Sequence, residues 1–175
     1  MKIKNFLLTC VLLGFTAACG YYTNVPSQYH IVQAADSPLT AEVAYAFNGA
    51  AYSYTVKNPK LMLEGEPGSI GLTFDKMTIE YLPESVAQRL PPVTILTTFR
   101  LGTSHFRDAS GNLIKGTGLG EIPVISSKVA TFGSSQLDTL PQISSRITLE
   151  GLDDAGFPAM LTFGIPINFV KAESK

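Results

Sequence analysis

The sequence predicts an all-β fold, an antiparallel sandwich of seven to nine strands that follows a cleaved signal peptide. Short runs of apolar, β-branched and aromatic residues alternate with turns rich in Gly, Pro, Asn and Asp. No amphipathic helical pattern of any length interrupts these runs, and this combination is typical of a sandwich. The chain has 175 residues, enough for one domain with its own core once a signal is removed.

The first 20 residues have the order of a secretory signal. Lys2 and Lys4 give a charged start, residues 6–18 form an apolar run that ends in small residues, and Cys19 follows. A helix that spans a bilayer needs ~20 apolar residues, so we expect cleavage. A retained transmembrane anchor is the alternative.

The segment Thr16-Ala17-Ala18-Cys19 resembles the bacterial lipobox. The resemblance implies a diacylglycerol on the Cys19 sulfur, cleavage just before this residue, and acylation of the new amino group. The lipoprotein family usually has Leu where this chain has Thr16, and ordinary cleavage after Ala18 is the alternative. Several acyl chains anchor a protein firmly, because each buried CH₂ contributes about 0.8 kcal/mol.

This resemblance implies a lipid-anchored protein of the bacterial cell envelope. If the host has two membranes, the outer one is favoured, because Gly20 stands where inner-membrane lipoproteins often have Asp. We divide the chain into a signal peptide at residues 1–18, a lipidated cysteine and tether at 19–37, and a β-sandwich domain at 38–175. Tyr21 and Tyr22 could lie in the headgroup layer or begin the fold.

Charge and cysteine content exclude several classes of protein. Lys2 and Lys4 leave with the signal, so the 13 basic and 14 acidic side chains become 11 and 14, a net charge of −3. Without a block of like charge, nothing indicates a nucleic-acid partner. Cys10 leaves with the signal and Cys19 is acylated, so we expect no disulfide. We expect a monomer.

Residues 39–58 predict a hairpin. Asn48-Gly49 is the preferred two-residue type I′ turn, because both residues accept positive φ. Pairing about this turn gives the cross-strand pairs Phe47–Ala50, Tyr45–Tyr52, Val43–Tyr54 and Ala41–Val56. One face is apolar and the other small or polar. We therefore expect the three tyrosines to lie in the core rather than form an exposed platform for sugars.

The rest of the chain gives shorter candidates. We expect strands at residues 61–63, 70–82, 93–101, 143–152 and 160–170, one or two strands within 122–132, a helical turn at 83–90 and a loop at 107–121. In the last strand, alternate residues point to one side: Leu161, Phe163, Ile165, Ile167 and Phe169. Pro158 and Pro166 assign this strand to a sheet edge, because proline cannot donate to a ladder.

Two stretches resemble bacterial immunoglobulin-like domains. Residues 52–59, Tyr-Ser-Tyr-Thr-Val-Lys-Asn-Pro, are similar to an early strand of these domains, and residues 147–156 with the following strand are similar to their terminal hairpin. The resemblance implies an immunoglobulin-like sandwich of the kind found in small uncharacterised envelope lipoproteins. It implies no particular activity, and the chain has no Trp to match the core Trp of antibody domains.

The sequence predicts no catalytic, cofactor or metal site. His30 and His105 lie in no metal-ligand spacing. Ser104, His105 and Asp108 have the residue types of a hydrolase triad, but neighbours in a strand point to opposite faces. No nucleophile elbow is present.

Two further groups of residues have simpler explanations than ligand binding. The glycines of residues 116–120 are not followed by the helix that a dinucleotide-binding loop needs. Asp153-Asp154 and Glu64-Gly-Glu66 offer oxygen ligands for calcium, yet neither forms a calcium-binding loop. We interpret all three stretches as connections and turns.

We therefore expect a non-enzymatic structural, adaptor or binding role, with the membrane contacted through Cys19 and an envelope protein as candidate partner. The alternative is a secreted ligand-binding or inhibitory module that acts through loops such as residues 107–121. Exposed aromatic residues in the folded chain would favour binding. A buried pair of carboxylates, or His105 facing an acid, would favour an enzyme.

Overall fold

The computed structural model describes residues 26–33, 38–47, 52–104, 106–136 and 142–171. The signal peptide, Cys19, the Asn48-Gly49 turn and His105 lie outside the described residues. Among the residues that are described, no helix is long and apolar enough to cross a membrane.

Strands make up most of the regular structure in the described part of the chain. In order, its elements are β1 (Tyr29–Ile31), β2 (Ala41–Phe47), β3 (Tyr52–Lys57), β4 (Lys60–Gly65), β5 (Leu72–Leu82), α1 (Glu84–Ala87), β6 (Val93–Leu101), β7 (Thr117–Glu121), α2 (Ser127–Ser134), β8 (Ile143–Asp153) and β9 (Pro158–Lys171). The predicted all-β class is confirmed. The helical turn expected within residues 83–90 is α1.

The strands form two sheets. One has six strands in the order β3-β2-β9-β8-β5-β6, and the other has three in the order β1-β4-β7. β2 and β9 run parallel, with Val43 opposite Phe169, so the prediction of a purely antiparallel sandwich is wrong at this pair. The reason is non-local: the early β2–β3 hairpin joins the sheet beside the last strand of the domain.

The core lies on the inner face of the six-stranded sheet. The three-stranded sheet, residues 122–125 and α2 supply the apolar side chains that pack against it, and alternate residues of β8 and β9 such as Ile147 and Ile165 are fully buried. The Tyr81 hydroxyl donates to the Val124 carbonyl oxygen at 2.9 Å. The predicted sidedness of residues 161–169 is confirmed.

The prediction that Pro158 and Pro166 place β9 at a sheet edge is wrong for the strand as a whole. β9 lies between β2 and β8 rather than at an edge. However, β2 pairs with β9 only from Ile167 onward, so the part that contains Pro158 and Pro166 has a ladder only with β8. Proline is tolerated there because the side of β9 that faces away from β8 has no strand partner among the described residues at these positions, so no backbone N–H is needed on that side.

The predicted tether at residues 19–37 is too long. Residues 29–31 form β1, in which Tyr29 pairs with Gly65 and Ile31 with Leu63. The Tyr29 ring also packs edge-on against Phe74, with centroids 5.7 Å apart. Residues 26–33 therefore belong to the domain, because a three-residue strand covers apolar surface that β5 would otherwise expose.

Residues 122–132 were predicted to contain one or two strands, and this is wrong: β7 ends at Glu121, and α2 begins at Ser127. Ser126 is the N-cap of α2 and its hydroxyl oxygen accepts the Val129 N–H. α2 buries Val129, Ala130 and Gly133. A Cβ on Gly133 would collide with the ring of Phe169, so glycine lets this helix lie directly on the sheet.

The register of the β2–β3 hairpin also differs from the prediction. Phe47 pairs with Tyr52 and Tyr45 with Tyr54, whereas the prediction paired Phe47 with Ala50 and Tyr45 with Tyr52. The register is therefore shifted by two positions. An even shift keeps each side chain on its predicted face, so the sidedness of the hairpin is unaffected.

Candidate functional site

Ser104, the candidate nucleophile, is fully buried, and its hydroxyl is hydrogen-bonded to the backbone. Its hydroxyl donates to the Gly65 carbonyl oxygen at 3.0 Å and accepts the Gly116 N–H at 2.7 Å. Both its proton and its lone pair therefore join β4 to the segment before β7.

Asp108 closes a local turn. Its carboxylate accepts the backbone N–H groups of Ser110 and Asn112 at 2.9 and 2.8 Å. The hydrogen bond from the Asn112 backbone is the main cause that lowers the pKa of Asp108. The third member of the candidate triad, His105, lies outside the described residues, so the structure brings no triad together.

The two aspartates that could have held calcium have separate structural partners. Asp153 is buried, and its carboxylate accepts the N–H groups of Ser27, Ala155 and Phe157 at 2.9 to 3.0 Å. Asp154 forms a two-pronged pair with Arg100 at 2.6 and 2.7 Å, which lowers the pKa of Asp154. Within the described ranges, no group of three or more His, Cys, Asp or Glu side chains is arranged to hold a metal ion.

His30 lies among charged residues on the outer face of the three-stranded sheet. Its Nδ1 is 2.8 Å from Glu66 Oε1, and Glu64 Oε1 lies 2.5 Å from Lys115 Nζ. His30 Nε2 also lies 3.7 Å from Glu64 Oε1, so His30 is near both carboxylates and Lys115 pairs with Glu64. These exposed pairs explain the Glu64-Gly-Glu66 stretch as surface ion pairing.

The glycine run of residues 116–120 forms most of β7, so the predicted loop over 107–121 is wrong from Thr117 onward. A Cβ on Gly118 would lie 2.6 Å from the Arg100 carbonyl oxygen, and one on Gly120 would collide with the Phe99 ring. The glycines therefore let β7 cross closely over β6. Their spacing of two residues, one face of a strand, was the signal that sequence reasoning missed.

A row of exposed aromatic side chains lies on β2 and β3. We call it the aromatic edge: Phe47, Tyr52, Tyr54 and Val56, whose exposed fractions are 53%, 43%, 46% and 41%. All six residues of β3 are exposed. The prediction that the tyrosines are core residues is confirmed for Tyr45, which is fully buried, and wrong for Tyr52 and Tyr54.

Tyr52 and Tyr54 are exposed because they lie further from α2 than Tyr45 does. Tyr45 packs on Phe169, with ring centroids 6.3 Å apart, and its hydroxyl donates to the Ala130 carbonyl oxygen in α2. Tyr54 lies one strand further out, 6.4 Å from Tyr45 between centroids. Among the described residues, α2 contacts Tyr45 on β2, whereas every residue of β3 is exposed.

β3 is also the outermost strand of its sheet. It pairs with β2 on one side, and no described strand pairs with its other side. The Phe47 and Tyr52 rings contact one another with centroids 5.0 Å apart, which gives the aromatic edge a defined shape. The site therefore combines open backbone hydrogen-bonding groups with a row of large side chains.

A cleft lies where β2, β8 and β9 meet the end of β5. Its volume is about 840 Å³, within the roughly 300–1,000 Å³ of ligand sites. Its lining includes polar side chains (Glu42, Gln142, Ser144, Asn168) and apolar ones (Leu82, Pro83, Ile143, Pro166, Ile167, Phe169, Val170). A small neutral or cationic molecule would match this lining, because Glu42 is the one charged residue among the described residues that line it.

Neither protein-family models nor curated proteins gave a match to this chain. The chemistry of the aromatic edge and the cleft therefore rests on their own geometry.

Proposed function

We propose that this chain is a lipid-anchored cell-envelope protein with a non-enzymatic binding or adaptor role. Cys19 attaches it to the membrane, and the aromatic edge binds an extended segment of an envelope protein. One observation carries this proposal: Tyr52 and Tyr54 are about half exposed on an outermost strand.

Strand addition is the binding mode that fits such a surface. An extended segment can pair its backbone with an open sheet edge, while side chains on one face give specificity. On β3 that face carries Tyr52, Tyr54 and Val56, and the other carries Ser53 and Thr55. Tyr is favoured at such contacts because it supplies a large rigid area. We therefore expect a partner segment with alternating apolar residues and no charge opposite residues 52–56.

A non-enzymatic role is supported by what the candidate reactive groups do. Ser104 and Asp153 are buried with their polar atoms bound to backbone groups. Asp108 is bound to the turn that it closes. These side chains therefore have defined structural roles.

We also propose that the domain is immunoglobulin-like in architecture. Two packed sheets and the terminal β8–β9 hairpin support this. The strand order departs from the four-plus-three arrangement of constant immunoglobulin domains, because six strands share one sheet and β2 runs parallel to β9. The likeness therefore extends to the layers and not to the connectivity.

A secreted module that binds a small ligand is the second candidate function. The cleft beside Glu42 and Asn168 favours it. Glu42→Gln should weaken binding of a small cationic ligand and leave capture of a protein partner unchanged. Tyr54→Ser should weaken capture of a protein partner and leave binding of the small cationic ligand unchanged.

The anchor is tested by the mass of the protein extracted from membranes. We expect the mature chain to begin at an acylated Cys19, and Cys19→Ser to leave the chain unprocessed or released from the membrane. An unmodified Cys19, or a chain that still begins at Met1, would overturn the anchor.

The binding site is tested by cross-linking in intact envelopes, followed by purification and identification of the bound protein. Tyr54→Ser should abolish capture of that protein. Thr55→Ser, the neighbouring residue on the opposite face of β3, is the matched control and should leave capture unchanged. Equal yields from both variants would contradict binding at the aromatic edge.

A further inference from the structure

The end of the sandwich at which the described chain begins is fixed by hydrogen bonds. The Ser27 N–H donates to Asp153 Oδ2 at 3.0 Å, and the Ser27 hydroxyl donates to the Ile70 carbonyl oxygen at 2.7 Å. The carbonyl oxygen of Ser69, the next residue back, accepts the Ser104 N–H at 2.8 Å. We call this the tethered end: residues 26–28, 66–71, 102–104 and 153–157. The chain that follows Ser104 leaves the domain here.

A hairpin of residues 106–114 projects from the tethered end. Arg107 and Leu113 form an antiparallel bridge, and the Ile114 N–H donates to the Phe106 carbonyl oxygen at 2.8 Å. Phe106 and Ile114 are thus cross-strand neighbours whose side chains share one face. Their exposed fractions are 60% and 50%. Large apolar side chains of this kind can enter the headgroup region of a membrane.

The length of chain before the described part limits where this end can be. Cys19 precedes Pro26 by seven residues, and seven residues extend at most ~25 Å. β9 has 14 residues, and Tyr45, the cross-strand partner of Tyr54, pairs with its last residue, Lys171. The aromatic edge therefore lies roughly 45 Å from the tethered end. A lipid at Cys19 therefore keeps the tethered end, and not the aromatic edge, close to the membrane.

We propose that the hairpin of residues 106–114 lies on the lipid surface that holds the chain, with Phe106 and Ile114 in the headgroup region. This inference rests on the proposed anchor at Cys19. The aromatic edge then points away from the membrane, toward proteins of the envelope.

The contact is apolar rather than electrostatic. The hairpin carries one cation, Arg107, whose Nη1 donates to the Gly111 carbonyl oxygen at 2.7 Å. It carries one anion, Asp108, whose carboxylate is bound to backbone N–H groups of the turn. Because the two charges offset one another, added salt should leave the contact unchanged.

The absence of Trp from the sequence allows a direct test. Full-length Phe106→Trp protein is extracted from membranes and reconstituted into phosphatidylcholine vesicles with plain or brominated acyl chains. We expect the emission to shift to shorter wavelength on reconstitution and to be lost in brominated vesicles. Phe47→Trp, on the aromatic edge, is the matched control and should keep its emission. Ile114→Trp is a second reporter if Phe106→Trp fails to fold.

Sedimentation of the same samples separates this inference from the anchor. Protein that sediments with vesicles without quenching at residues 106 and 114 would overturn the hairpin contact and leave the anchor intact. Protein that does not sediment would overturn both. Equal quenching at Phe47→Trp would overturn the orientation. A shift that rises with protein concentration without quenching would mean that a second copy covers the hairpin, and would overturn the lipid contact.

Discussion

The hairpin at the tethered end and the aromatic edge both expose apolar side chains, but the structures that support them differ. At the tethered end, irregular segments are held by buried polar side chains: Asp153 binds three backbone N–H groups, and Ser104 joins Gly65 to Gly116. At the aromatic edge, a regular strand is exposed along its whole length. Binding residues usually lie on loops that a rigid scaffold positions. In this domain the candidate binding surface is a strand, and the segments of the tethered end are held in place by hydrogen bonds.

This difference separates stability from binding. A buried polar group that loses its partner leaves an unsatisfied donor or acceptor, which costs far more than the net value of the bond. The exposed rings of β3 leave no such group behind when they are removed. We therefore expect substitutions at the tethered end to act on folding, and substitutions at the aromatic edge to act on binding.

A large loss of stability should come from Asp153→Ala, which tests the tethered end. It leaves three backbone N–H groups without their acceptor, and we expect the free energy of unfolding to fall by roughly 3 kcal/mol. Denaturant unfolding measures the change. Asp154→Ala is the control in the same turn, where loss of an exposed pair should cost about 1 kcal/mol or less. Equal losses would show that burial does not distinguish the two carboxylates.

A pH effect should reveal how the aromatic edge joins the core. Burial raises the pKa of Tyr45 from 10.0 to about 12. The unfolded chain therefore loses this proton first, and the contribution of Tyr45 to stability, complete below pH 10, is lost as pH rises toward 12. Tyr45→Phe should flatten this decline in unfolding measurements between pH 10 and pH 12. The same decline in wild type and Tyr45→Phe would contradict the assignment.

The smallest effect on stability should come from Tyr52→Ser and Tyr54→Ser. Substitutions of exposed residues usually change the free energy of unfolding by about 0.5 kcal/mol, and both variants should also lose the captured partner. Ile167→Ala, in the buried part of β9, should cost roughly 2–5 kcal/mol. If the tyrosine variants unfold as readily as Ile167→Ala, the aromatic edge is part of the core after all.

Strands with β-branched and aromatic residues, or with alternating apolar residues, could be predicted from the sequence. β6 was expected at residues 93–101 and has those bounds, and β8 and β9 differ from the prediction by at most two residues at either end. α2 could not be recognised by its apolar pattern, although its N-cap Ser126 gave a signal. β7 was hidden because glycines on one face of a strand carry no apolar pattern.

The sequence predicted which residues share the face of the candidate site, but not which of them are exposed. The sequence named Tyr45, Tyr52 and Tyr54 as one face and assigned all three to the core. Tyr45 is buried and the other two are not, because burial depends on whether a distant segment reaches over the strand. Here that segment is α2, which is about 80 residues further along the chain.

The sequence by itself determined which side chains share a face, because alternation along a strand has a fixed period of two. Even the wrong hairpin register, shifted by two positions, preserved this sidedness. Only the tertiary structure decided that β2 lies parallel to β9, that β3 is an outermost strand, and that residues 26–33 join the domain. These features depend on contacts between segments far apart in the chain, and local patterns carry no information about which segments meet.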